Sequence, residues 1–248
     1  MTIPRWDVQI GLAFSFLTII PSRITRADEY DVAASMAWFP AVGGVIGIMV
    51  AFGDLYFQDI LGPTLCSAIA VLALAVITGA VHLDGLTDTA DALGAGRDRA
   101  RALEILRDSR IGVFGAIALF FALALKIFAL ANLGGYERLF TIAFAPMLAR
   151  WALVGVSYKM DYLRSQGAGS SMLGRLDNRN LAVAGTLTIL PLIPVHWRKL
   201  VIAYVLTVIV TFALRSFYRR WIGGVTGDLI GACGEIVEVL VMLTMAAR

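Results

Sequence analysis

Long apolar runs recur along the chain at roughly 36–53, 61–81, 111–133, 139–157, 181–195, 200–214 and 229–246, separated by polar segments. A helix rises about 1.5 Å per residue and needs about 20 residues to cross the hydrocarbon, so these runs predict about seven transmembrane helices, the fifth and sixth being short. The run 8–20 is too short and too close to Pro21 for a span, and is expected to be an interfacial or re-entrant piece. After the Gly94-Ala95-Gly96 break, the stretch 97–115 predicts an amphipathic helix that leads into the third span. The expected fold is all-α: a polytopic membrane bundle forming one domain over 1–248.

Composition agrees, with 59% hydrophobic and 16% charged residues and a mean hydropathy of +0.79, values far from those of soluble domains. The charge of +3 is therefore read as a topology signal, and nucleic acid is not an expected partner. One set of connections holds 15 Lys and Arg residues: Arg5, Arg23, Arg26, Arg97, Arg99, Arg101, Arg107, Arg110, Lys159, Arg164, Arg175, Arg179, Arg215, Arg219 and Arg220. The other set holds 4, Arg138, Arg198, Lys199 and Arg248, while Lys126 and Arg150 fall inside spans. The positive-inside rule places the richer side, with the N-terminus and the long connections 82–110 and 158–180, in the cytoplasm and the C-terminus outside. This describes a protein of the cytoplasmic (inner) membrane with its active site on the cytoplasmic face. The N-terminal run lacks a small-x-small cleavage site and is expected to be mature sequence. Cys66 and Cys233 lie in apolar runs and suggest neither a disulfide framework nor a zinc site.

The first chemistry-bearing segment is HLDGLTDTADAL, His82 to Leu93. Asp84, Asp88 and Asp91 stand at i, i+4 and i+7, which on a helix places them within about 60° of arc. No Lys or Arg between 82 and 96 offsets them, so a cation is expected, and oxygen-only ligands suit Mg²⁺ or Mn²⁺. A solvated acidic face is the bland alternative. His82 lies outside that arc and is given no role. Further on, Asp108-Ser-Arg110-x-Gly112-x-x-Gly115 combines small residues, which let a ligand or helix approach the backbone, with arginines able to meet phosphate oxygens.

In the last span, GGVTGDLIGACGEIVEVL puts Asp228 and Glu235 on one face and Glu238 about 60° round, roughly 13 Å into the segment. Charge at that depth normally faces a bundle interior or polar cavity and marks a functional site. Arg150 is the expected counter-ion for Glu235 or Glu238, whereas Lys126 is expected to snorkel outward. The serines and glycines of RSQGAGSSMLGR, 164–175, either present N–H groups to a phosphate or form a linker.

HLDGLTDTADAL, EILRDSRIGVFG, GGVTGDLIGACGEIVEVL and the early FLTIIPSR together resemble the signature blocks of the cobalamin synthase family, the adenosylcobinamide-GDP ribazoletransferases, over nearly the whole chain. That resemblance implies a Mg²⁺-dependent membrane transferase joining adenosylcobinamide-GDP to α-ribazole or its 5′-phosphate, with release of GMP. To that the residues add a mechanism: metal on Asp84, Asp88 and Asp91, with Arg107, Arg110, Arg150, Glu235 and Glu238 toward the substrates. Asp108 or Asp228 takes the hydroxyl proton, with a homo-oligomer compatible with all of this. Two other readings stand beside it. One is another Asp-rich membrane transferase of the CDP-alcohol phosphotransferase or prenyltransferase type, and the other is an ion-coupled transporter using Glu235 and Glu238.

Overall fold

The computed structural model describes all residues except 1–4, 22–23, 25–26, 97, 109, 165–171, 174–175, 190–196 and 248. Ten α-helices are described: α1 (Trp6–Leu17), α2 (Glu29–Ser35), α3 (Phe39–Ile77), α4 (Val81–Leu93), α5 (Arg99–Ile105), α6 (Val113–Ala131), α7 (Gly135–Ser157), α8 (Asn178–Ile189), α9 (Trp197–Trp221) and α10 (Gly227–Ala246). No strand appears among the described residues, only a single parallel bridge between Tyr162 and Val225. The all-α reading holds.

Five helical segments among the described residues are long and apolar enough to cross a membrane: Glu29–Ile77, Val113–Ala131, Gly135–Ser157, Arg198–Trp221 and Gly227–Ala246. The first contains two arms. Gly62 leaves the helix at φ 75°, ψ 165°, and Pro63 follows, which has no N–H to donate. Met49 and Ile77 line one groove together with Val50, Gly53, Cys66 and Ala73. In a straight helix those two residues would be about 42 Å apart. Helix α3 is therefore a hairpin with its tip at Gly62, and its arms correspond to the runs 36–53 and 61–81. Helix α9 outlasts the apolar run 200–214 because Arg215, Arg219 and Arg220 continue it as a cationic end. Helix α8 covers the start of 181–195, whose remainder lies outside the described residues, and α1 has only 12 residues.

Helix α7 is the hub. Leu148, Ala149, Ala152, Leu153, Val154 and Val156 are all buried, while Val45, Phe52, Phe120, Phe121, Phe128, Val205 and Ile209 on other helices are exposed. Apolar residues facing outward on several long helices are what a lipid environment permits and water penalises.

At the hairpin tip, Arg138 of α7 is wholly buried. Its Nε and Nη2 donate to Asp54 Oδ2 and Oδ1 at 2.7 and 2.6 Å, and its Nη1 donates to Ser67 Oγ (3.0 Å) and the Leu130 carbonyl (2.6 Å). The guanidinium thus ties both arms of α3 to the end of α6. Arg138 belongs to the interior, so the sequence tally that counted it among loop charges is corrected there. The opposite end of the bundle gathers the C-termini of α3, α7 and α9, the N-termini of α6 and α10, and the short helices α4 and α5.

Candidate active site

Helix α4 turns off α3 through Gly79 and Ala80, both left-handed at φ 63° and 55°. It then lies against the start of α10, so closely that a Cβ on Gly85 would stand 2.6 Å from the Asp228 carbonyl oxygen. This approach brings Asp84 and Asp88 beside Asp228. Burial, then Asp84 and Asp228, push the Asp88 carboxyl up to about 6 against the opposing pull of Arg164.

The three aspartates of α4 share a helix, as their spacing predicts, but their surroundings differ. Asp91 accepts N–H bonds from Gly112 (2.7 Å) and Gly115 (2.9 Å) at the first turn of α6, a helix without a side-chain cap of its own. A Cβ at either glycine would come within 2.4 Å of the Asp91 carboxylate. The small residues of that motif therefore admit a carboxylate from the protein itself. Among the described residues no three His, Cys, Asp or Glu side chains are already disposed around a common metal position. Asp84, Asp88 and Asp228 nevertheless supply hard oxygen donors and surplus negative charge, which fits a divalent cation such as Mg²⁺.

Asp84, Asp228, His82 and Arg164 line one cavity of about 250 Å³, whose other walls include Phe16, Met36, Phe39, Leu153 and Met172. Arg164 donates from Nη2 to Asp228 Oδ2 (2.5 Å) and to the Leu106 carbonyl (2.6 Å), and Thr226 Oγ1 donates to the same carboxylate oxygen at 3.2 Å. The backbone that carries Arg164 is fixed: Leu163 N–H donates to the Val225 carbonyl and Val225 N–H to the Asp161 carbonyl, each at 2.9 Å.

Arg107 and Arg110 are exposed on the connection between α5 and α6. Arg110 pairs with Asp108 at 2.6 Å, and its hydrogen bonds hold the Asp108 carboxyl down at about 2. Deeper in the bundle, Lys126 Nζ lies 2.5 Å from Glu235 and 2.8 Å from Glu238, and Arg150 Nη1 lies 2.5 Å from Glu238. All four side chains are buried. Arg150 is the counter-ion its position suggested. Lys126 does not snorkel outward, because two carboxylates in the bundle neutralise it where a lipid-facing amine would have to reach the interface. Sequence reasoning also left Arg164 and His82 without roles, although each opens a polar block, because only the fold places them in the cavity. The phosphate-binding or linker reading of 164–175 falls mostly outside the described residues.

An all-α membrane protein with acidic side chains and an arginine converging at one end of its bundle is a polytopic membrane protein with the makings of an enzyme site. The cobalamin-5-phosphate synthase family matches residues 9–246, and the chain belongs to that family. Relatives named adenosylcobinamide-GDP ribazoletransferase include one from Syntrophobacter fumaroxidans, 38% identical over 95% of this chain and 97% of the relative. Others are from Desulforamulus reducens (34% identical, 94% of each chain) and Geotalea daltonii (34% identical, 95% of this chain and 96% of the relative). By these names the family's members are transferases of cobalamin biosynthesis. No solved structure matches the chain.

Proposed function

We propose that the chain joins adenosylcobinamide-GDP to α-ribazole, or its 5′-phosphate, in a Mg²⁺-dependent reaction that releases GMP. The observation that carries this reading is the convergence of Asp84, Asp228 and Arg164 on one cavity, with Asp88 close enough to feel the charge of all three, in a chain whose relatives bear that name along nearly their full length. The ribose hydroxyl oxygen attacks the diphosphate phosphorus on the corrinoid side. The P–O bond to GMP breaks, and the hydroxyl proton passes to a carboxylate.

Asp84 and Asp88 would hold a Mg²⁺ ion, which would supply positive charge against the phosphoryl oxygens and the departing phosphate; Asp91, already fixing the first turn of α6, completes the acidic face. Asp228 is the proton acceptor, since it lies on the cavity while Asp108 lies off it and is engaged with Arg110. Arg107 and Arg110 add positive charge beside the α6 N-terminus. Glu235, Glu238 and Arg150, neutralised with Lys126, serve the substrate by holding α6, α7 and α10 beneath the cavity. The site faces the cytoplasm from the inner membrane, with the N-terminus in and the C-terminus out.

The test incubates purified protein with adenosylcobinamide-GDP, α-ribazole and Mg²⁺ and follows GMP and the cobalamin product. Equal amounts of both are expected, abolished by a chelator. Absence of both from folded protein with either form of ribazole would refute the reading.

A further inference from the structure

We infer that Arg164 binds the diphosphate of the nucleotide-activated substrate, its guanidinium passing from Asp228 to the phosphate oxygens. This rests on the transferase reading above. The reaction needs positive charge on the diphosphate, and among the described residues lining the cavity Arg164 is the permanent cation. Its side chain is 33% accessible, against 87% for Arg110, which projects into solvent.

The geometry suits an exchange of partners. Among the described residues both of its hydrogen bonds leave from one nitrogen, Nη2, and Nε and Nη1 are the donors a second acceptor would take. A guanidinium offers two parallel N–H donors in a plane, matched to two oxygens of a phosphate. Its base is held by the paired backbone of 161–163 and 225, and by the approach of Gly224, where a Cβ would stand 2.4 Å from the Asp161 carbonyl oxygen. The head can therefore change partner while the backbone stays in place. Asp228 profits as well. Without the diphosphate its charge is neutralised by Arg164, and once the guanidinium turns to phosphate the carboxylate becomes the stronger base for the ribose proton.

Equilibrium binding of adenosylcobinamide-GDP and of adenosylcobinamide, which lacks the diphosphate, should be measured for the full-length protein and for Arg164→Gln and Arg164→Lys. Arg220→Gln, at an exposed arginine bonded to Ser216, is the control. Both Arg164 variants are expected to bind adenosylcobinamide-GDP more weakly, Arg164→Gln by roughly ten- to a hundredfold, with adenosylcobinamide binding unchanged. Arg164→Lys should recover only part of the loss, because an ammonium cannot fork. Equal weakening toward both ligands, or a change under threefold in both variants while the wild type turns over, would overturn the assignment. A wild type that forms no cobalamin would instead defeat the transferase reading.

Discussion

Asp91 differs from Asp84 and Asp88 in what it holds, and the difference can be measured. Asp84→Asn and Asp88→Asn remove charge from a repelling group, so each is expected to abolish turnover while leaving the thermal unfolding midpoint in detergent unchanged or raised. Asp91→Asn replaces a two-oxygen acceptor by one carbonyl and one amide, stranding an N–H at the α6 N-terminus. It should cost about 1–2 kcal/mol and lower the midpoint. A midpoint for Asp91→Asn equal to that of Asp88→Asn would remove its capping role. The shared arc of these residues was legible from i, i+4, i+7 spacing alone. What divides them was not, since the partners of Asp91 lie 21 and 24 residues onward and are backbone groups that no side-chain pattern reports.

Among elements, α3 and α7 show where hydropathy reading works and where it stops. The arms of α3 were visible as two apolar runs, yet their joining by a single Gly-Pro reversal rather than a loop depends on the conformation of Gly62. Arg138 looked like a loop charge because it stands near the start of its span; its burial follows from Asp54, 84 residues earlier. Removing one member of such a pair strands a charge, so Arg138→Met and Asp54→Asn are each expected to destabilise by about 3–5 kcal/mol. The double change Asp54→Asn with Arg138→Met should lose much less. Thermal unfolding of all three checks this, and additive losses in the double variant would show that the two side chains do not act as a pair. By the same argument, Lys126→Met should destabilise the folded protein more than Lys126→Arg, since it leaves Glu235 without its cation and Glu238 with Arg150 alone.

For the molecule as a whole, the aspartates of α4, Asp108 and Asp228 lie at one end of the bundle, and the orientation proposed above would put that end in the cytoplasm. Single cysteines at Ser109 and Thr226 should then react with membrane-impermeant thiol reagents in inverted vesicles and not in intact cells. Reaction from outside intact cells at either position would reverse the orientation. The buried pair at the other end bears on biogenesis. Asp54 leaves the ribosome 84 residues before Arg138, and at about 5–20 residues per second the hairpin waits several seconds for its cation. During that interval an unpaired carboxylate sits at the tip of two apolar arms, a state the translocon or the interface has to shelter. Nascent chains stalled before Arg138 is available should therefore hold the α3 hairpin loosely and give it up to carbonate extraction, and chains long enough to seat α7 should retain it.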